Sequence, residues 1–396
     1  LHYMEHHPAH AASAFLVSPF DEAAILSIDY IGEITSTWLG VGRGTEIRPL
    51  NEFAYPNSLG VFYSAITDYL GFRRASDEYK VMGLASYGEP EYLDEFRRII
   101  RKTDAGYEID LDWMAYHYRP GSKRGYFSDR FVERFGPARR SSDPVETRHE
   151  NLAASAQAVL EEIVLHLASR LSKETESANL CLAGGVALNC SMNGRLLRES
   201  EFDGFYVQPA AGDDGIAIGA AWQLHHELTN SPRSFVMEHT YYGPAHPESA
   251  IKHALDQSRL KYSEPESIEQ ACAELLARGL IVAWYQGRME FGPRALGSRS
   301  ILADPTRTDM KDRINATVKF REEFRPFAPS VLAERAAEFF EGCKDSPFML
   351  FVYPVVEACR ERLPAITHVD GTARVQIVTR ETNPLYSSMS EAFERK

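Results

Sequence analysis

Ala23-Ala24-Ile25-Leu26-Ser27-Ile28-Asp29 is the stretch that decides the fold, a short apolar run that ends in a carboxylate. A run of this length, followed by a turn at Gly32 and a second β-rich run from Thr35 to Val41, predicts two strands of a hairpin with Asp29 beside the turn. Just upstream, the small apolar residues Ala9, Ala11, Ala12, Ala14, Phe15 and Leu16 predict a helix over 8–17 that packs closely on the sheet. Downstream, helical spacing of apolar residues predicts helices over 59–70 and 150–172, the second carrying Leu152, Ala156, Val159, Leu160, Ile163, Val164 and Leu167 on its buried side. Strands over 178–182 and 204–207 follow, the second leading to an Ala/Gly-rich helix. Strands alternating with helices in this way make the fold class α/β.

At 396 residues the chain is too long for one ordinary core. Polar turn residues at Asn230-Ser231-Pro232-Arg233 place the boundary between two domains, 1–232 and 233–396. In the second domain, a helix over 266–278 precedes a strand over 280–285. Between about 90 and 149 the periodicity weakens, and Tyr92, Tyr107, Trp113, Tyr116, Tyr118 and Tyr126 mix with basic residues. That segment reads either as an irregular insertion or as a substrate-binding lid. A net charge of -13 argues against a nucleic-acid partner. The five cysteines have no zinc-type spacing and suit a reducing, cytoplasmic setting. No uninterrupted apolar stretch approaches the length of a membrane span, so no membrane partner is expected.

Two constellations carry chemistry. In the first domain, the string Glu5-His6-His7-Pro8-Ala9-His10 sets His6 and His10 four residues apart, on one face of a helix. With Asp29 and one of the pair Asp213/Asp214, they offer two nitrogens and two carboxylate oxygens, a set that suits iron, zinc or manganese. Ligands in open α/β sheets gather at the carboxyl ends of the strands, where these acids lie. The pair Gly184-Gly185, between a strand and a helix, can bring backbone amides close to phosphate or ribose, although glycines there are often structural. In the second domain, residues 287–325 carry nine basic side chains against six acidic ones. Arg294, Arg299, Lys319, Arg321 and Arg325 alternate there with aromatic residues and suit phosphorylated substrates. His368, Thr372 and Arg374 form a further cluster of imidazole, hydroxyl and guanidinium.

Several strings together resemble one family. His6-His7-Pro8-Ala9-His10, Asp77-Glu78-Tyr79-Lys80-Val81-Met82-Gly83-Leu84-Ala85, Gly184-Gly185-Val186-Ala187-Leu188-Asn189 and Gly287-Arg288-Met289-Glu290-Phe291-Gly292-Pro293-Arg294-Ala295-Leu296-Gly297 resemble those of the O-carbamoyltransferases of antibiotic and nodulation-factor biosynthesis. The stretches Lys319–Ser330 and Thr367–Gln376 do so too. The resemblance implies an actin-like (ribonuclease H-like) ATPase-superfamily domain, similar to the threonylcarbamoyl-transferring enzyme of tRNA, followed by a YrdC-like α/β domain. It implies that the second domain joins carbamoyl phosphate to ATP, with Mg2+, giving carbamoyl adenylate and pyrophosphate. The first domain would then pass the carbamoyl group to a hydroxyl of a small molecule.

Carried over residue by residue, the resemblance makes His6, His10, Asp29 and Asp213 the ligands of Fe2+ or another divalent metal, and His7 the base that takes the acceptor's proton. Gly184, Gly185, Asn189 and Lys80 would hold the nucleotide of the adenylate. Arg294, Arg299, Lys319, Arg321, Arg325, His368, Thr372 and Arg374 would bind carbamoyl phosphate and ATP. A homo-oligomer is compatible with all of this. Both domains are expected to be truncated at their outer ends relative to the family. Where the family has Gly after the strand-end Asp, this chain has Tyr30, whose bulk is expected to crowd the phosphate or shift the metal ligand. Two other readings stay open: a tRNA threonylcarbamoylation-type enzyme, and a non-catalytic remnant that binds nucleotide or metal.

Overall fold

The computed structural model describes residues 2–117 and 125–396; Tyr118, one of the aromatic residues of the insertion, lies outside them. The chain divides into two compact units, one running to Met237 and the other from Glu238 to Lys396. The polar turn at 230–233 falls inside the first unit for a local reason. Arg233 donates to the carbonyls of Ser18 and Phe20 and stacks 4.7 Å from the Phe15 ring, and the Met237 amide donates to Val17 O at 2.8 Å.

The first unit is mixed α/β. Its elements are α1 (His6–Phe15), β1 (Glu22–Gly32), β2 (Thr35–Arg43), β3 (Glu46–Ala54), α2 (Leu59–Tyr69), α3 (Glu78–Ala85), α4 (Leu93–Ile99), β4 (Ile100–Thr103), β5 (Gly106–Ile109), α5 (Asp129–Phe135), α6 (Thr147–Thr175), β6 (Asn179–Ala183), α7 (Cys190–Glu199), β7 (Gly204–Val207) and α8 (Ile216–Thr229). Five strands form one sheet in the order β3-β2-β1-β6-β7. β1 runs antiparallel to β2 and β2 to β3, whereas β6 lies parallel to β1 and β7 parallel to β6. β1 is buried from Ala23 to Asp29, as expected of a central strand flanked on both sides.

α1 begins two residues earlier than its apolar pattern suggests, because Glu5 is extended and the Ala9 amide already closes a turn on Glu5 O at 3.0 Å. Both His6 and His10 therefore sit on the helix. Its small residues let α8 approach closely: a Cβ added to Gly219 would lie 1.9 Å from Ala9 O. α6 is long and apolar enough to cross a membrane by composition, but its apolar face, from Leu152 to Leu171, is buried in the core of this unit.

The aromatic insertion has a core of its own. Tyr69, Phe96, Phe127, Phe131 and Phe135 pack edge-on or tilted with centroid separations of 4.5–6.3 Å. Tyr107, Trp113 and Tyr116 are also buried. These rings hold the insertion to α2 and the sheet, which accounts for an aromatic content that sequence alone left open between lid and scaffold.

The second unit is built from short pieces. Helices Ile268–Ala277 and Pro384–Glu394 enclose Cys272, Leu276, Trp284, Tyr386 and Met389. Its strands pair two by two: Val282–Tyr285 with Arg299–Leu302, Ser330–Leu332 with Gln376–Val378, and Val352–Pro354 with Thr372–Arg374.

Candidate metal centre and basic pocket

The strand order brings three separate stretches to one end of the first unit's sheet. Asp29 lies near the end of β1, Gly184-Gly185 follow β6, and Asp213 lies in the loop after β7. α1 presents its histidines to the same place. His6 Nε2 stands 3.1 Å from Asp29 Oδ2 and 3.5 Å from Asp213 Oδ1; His10 Nε2 stands 2.8 Å and 3.6 Å from the same atoms. The two imidazole nitrogens are 3.1 Å apart. His10 and Asp29 are buried, His6 is half-buried, and Asp213 reaches in from an exposed loop.

Four ligand atoms within 4.8 Å of one another fit a metal ion. Ligands held about 2.1 Å from a common ion lie roughly 3.0–3.4 Å from each other, close to the separations here. The electrostatics lean the same way. Burial raises the Asp29 carboxyl, but the bonds from His10 and His6 outweigh it and hold the group well below the usual carboxylate range. Burial lowers His10, yet Asp213 and Asp29 together carry it above its ordinary value. The cluster thus attracts positive charge, and two imidazoles with two carboxylates form a donor set that a divalent cation satisfies.

Tyr30 does not displace Asp29. Its amide donates to Asp29 Oδ1 at 2.7 Å, and its hydroxyl donates to the Tyr126 hydroxyl at 3.2 Å, so the phenol leads to the insertion while Asp29 Oδ2 faces the histidines. Asp29 thus keeps its place among the ligand atoms with Tyr30 beside it.

His7 is placed to hold the sheet. It is fully buried, with Nδ1 2.9 Å from Ser27 Oγ and Nε2 3.0 Å from Thr35 O, tying α1 to both β1 and β2. Burial lowers it to about 4, so it is neutral near pH 7, but both ring nitrogens are already engaged. Thr35 O can only accept, so Nε2 donates to it and Nδ1, which accepts from the Ser27 hydroxyl, is the nitrogen that would take up a proton.

One glycine of the pair packs on the β1 backbone and the other bonds the carboxylate. Gly184 has a φ of +84°, and a Cβ there would meet Ile28 O at 2.2 Å; Gly185 donates its amide to Asp29 Oδ1 at 3.2 Å. Asn189 caps α7 by accepting from the Met192 amide at 3.0 Å and exchanges bonds with Gln157. Lys80 pairs with Asp77 at 3.2 Å.

In the second unit the predicted cations fall into three local groups. Arg299 donates to the carbonyls of Gln286, Ser298 and Gly287 and stacks 3.5 Å from the Tyr285 ring. Its guanidinium laces the loop that carries Arg294. Glu290, which the residue pattern did not single out, is the counterpart: its buried Oε1 accepts from the amides of Leu296, Ser298 and Arg299 at 2.8, 2.8 and 3.2 Å. No sequence signal marks such a role, since its partners are main-chain groups.

Lys319, Arg321 and Arg325 share one turn; burial, then the neighbouring charges of Arg321 and Arg325, hold Lys319 below its usual range. Arg321 donates to Asn315 Oδ1 at 2.7 Å and to Pro326 O at 3.2 Å. His368 and Thr372 are joined by a 3.1 Å bond, and Arg374 is close enough to act on His368 electrostatically. The Thr372 hydroxyl donates to Asp370 Oδ1 at 2.8 Å, so His368 donates to it through Nδ1; His368 Nε2 and Arg374 Nε are buried without a hydrogen-bond partner among the described residues, leaving one acceptor and one donor unused.

Comparison with known proteins agrees across both units. A family model described as the carbamoyltransferase N-terminus matches residues 1–222, and one described as the carbamoyltransferase C-terminus matches residues 273–396. The chain is 44% identical to an uncharacterized protein of Synechocystis sp., over 99% of this chain and 68% of that protein. It is 44% identical to the nodulation protein NolO of Bradyrhizobium diazoefficiens, over 99% of this chain and 70% of the relative. It is 29% identical to the 3'-hydroxymethylcephem-O-carbamoyltransferase of Streptomyces clavuligerus, over 98% of this chain and 70% of the relative.

Proposed function

The chain belongs to the carbamoyltransferase family, and from that premise we propose that it is an ATP-dependent O-carbamoyltransferase acting on a small-molecule hydroxyl. The observation that carries this reading is the convergence of His6, His10, Asp29 and Asp213 at the carboxyl ends of the first unit's strands. In it, water releases the phosphate of carbamoyl phosphate as inorganic phosphate in the second unit, and the resulting carbamate displaces pyrophosphate from the α-phosphate of ATP to give carbamoyl adenylate, with Mg2+ accompanying the nucleotide. The first unit receives the adenylate and transfers the carbamoyl group. Three antiparallel strands followed by two parallel ones support an actin-like assignment for the first unit, and the YrdC-like assignment of the second rests on the resemblance. The name of the 3'-hydroxymethylcephem-O-carbamoyltransferase relative supports a hydroxyl acceptor on a natural product.

A divalent metal, iron by resemblance, would supply Lewis-acid polarisation of the adenylate phosphate. The protein's own part is to hold the ligand atoms in place. Gly185 and Tyr30 orient the Asp29 carboxylate through their amides, and His7 fixes the face of α1 that carries His6 and His10. In the second unit, Lys319 with Arg294, Arg321 and Arg325 supplies positive charge for phosphate groups, Arg374 supplies a donor, and His368 and Thr372 line the same cluster. Arg299 and Glu290 shape the loop.

Full-length chain incubated with carbamoyl phosphate and ATP is expected to release pyrophosphate; its absence from folded protein overturns the reading. Elemental analysis of the His6→Ala/His10→Ala variant is expected to show no bound metal, and wild-type content removes the ligand assignment.

A further inference from the structure

We propose that Glu33, on the turn between β1 and β2, is a positioning residue for the histidine pair and sets how tightly the first unit holds its metal. The inference rests on the metal reading of His6, His10, Asp29 and Asp213. It starts from an imbalance between the two histidines. His10 is fully enclosed, whereas His6 stands at the first position of α1 and is partly open to solvent. A first-turn residue has no helical partner for its amide, and the residue that should cap this helix, Glu5, makes no side-chain capping bond.

The β1–β2 turn supplies what the helix lacks. Glu33 Oε2 accepts the His6 amide at 3.2 Å, across 27 residues of sequence, so a carboxylate sits at the positive end of α1. Its other oxygen accepts the Tyr3 hydroxyl at 2.7 Å, which holds the carboxylate from the opposite side. Glu33 itself has a φ of +48°, a left-handed backbone that non-glycine residues adopt only when the surroundings impose it. The residue before it completes the seat: a Cβ on Gly32 would lie 2.4 Å from His6 Cβ, Cγ and Cδ2, so the His6 imidazole rests directly on the glycine backbone. The turn thus touches His6 twice, at the ring and at the amide, while its strand β1 delivers Asp29. Two of the four ligands are referred to one hairpin.

The test is a Co2+ titration of the full chain followed by visible absorption, with the rate of Co2+ loss to EDTA. Glu33→Ala is expected to weaken binding about five- to tenfold and to speed release, with only the small fall in apo-protein melting temperature that loss of a helix cap gives. Glu33→Gln, which keeps an oxygen for the His6 amide, is expected to lie nearer to wild type. Tyr3→Phe, on the exposed segment before α1, is expected to raise the release rate in the same direction and guards against a folding defect in the alanine variant. Wild-type affinity and release in both Glu33→Ala and Tyr3→Phe, with binding abolished by His10→Ala, overturns the role of Glu33 alone. Failure of the wild-type chain to bind Co2+ removes the metal reading and this one with it.

Discussion

The Gly185 amide and the Asp29 carboxylate are joined at 3.2 Å, which leaves the second oxygen of Asp29 facing His6 and His10 at 3.1 and 2.8 Å. A loop after one strand thereby orients a ligand at the end of its neighbour. Gly185→Ala would place a Cβ 2.9 Å from Asp29 Oδ1. The expected outcome is about a tenfold loss of Co2+ affinity with little change in melting temperature. Gly184→Ala, with its positive φ and a contact of 2.2 Å to Ile28 O, is expected instead to destabilise the unit by about 3 kcal/mol, read by chemical denaturation.

Tyr30→Gly introduces the residue that the resemblance leads one to expect after the strand-end Asp. Because the Tyr30 phenol bonds to Tyr126 and Asp29 is held independently by Gly185, metal content is expected to stay at the wild-type level. Loss of the clasp should appear as faster amide exchange at Tyr126 and Phe127. A fall in metal content with no change in exchange contradicts this division.

His368 provides a pH signature in the second unit. Burial, with Arg374 and Lys311 nearby and opposed by Asp370, lowers it from 6.5 to about 4. The unfolded chain therefore binds more protons than the folded one between those values. Stability is retained above pH 6.5 and falls as pH drops toward about 4, by on the order of 3 kcal/mol. Denaturation curves between pH 7 and pH 4 measure the slope, and His368→Gln is expected to reduce it.

Arg299 and Lys319 should separate cleanly. Arg299→Ala strips donors from three loop carbonyls and is expected to cost about 1–3 kcal/mol, seen as a lower melting temperature. Lys319→Ala, at the last residue of the helical segment Asn315–Lys319, is expected to leave melting unchanged and to abolish carbamoyl-phosphate-dependent pyrophosphate release. Transfer from supplied carbamoyl adenylate should survive in the Lys319 variant; its loss as well argues against two separate sites.

Much of the fold was legible where periodicity is strong. The strand at 204–207 lies where its apolar pattern places it, and the helix around 150–172 extends by only a few residues at each end. β3 left no comparable mark, because Glu46–Ala54 is a largely exposed edge strand containing Pro49, and its stability comes from pairing with β2. The aromatic residues between 90 and 149 announced themselves by composition, but only their mutual packing shows that they form a local core.

For the candidate site, the sequence by itself determined the residue types and their spacing: two histidines one helical turn apart, a carboxylate at a strand end, a glycine pair, and a basic, aromatic-rich stretch. These are local facts, set by backbone periodicity and by the chemistry of each side chain. What only the tertiary structure decided is which of these groups also bond within the fold. His7 and Arg299, read from the sequence for catalysis and phosphate binding, meet Ser27, Thr35 and the loop carbonyls, while Glu33 and Glu290, unremarkable in the sequence, accept main-chain amides of the stretches that carry His6 and Arg299. The reason is that a hydrogen bond is specified by where two groups meet in space. Bonds that span many residues, or that end on main-chain atoms, leave no trace in the order of side chains.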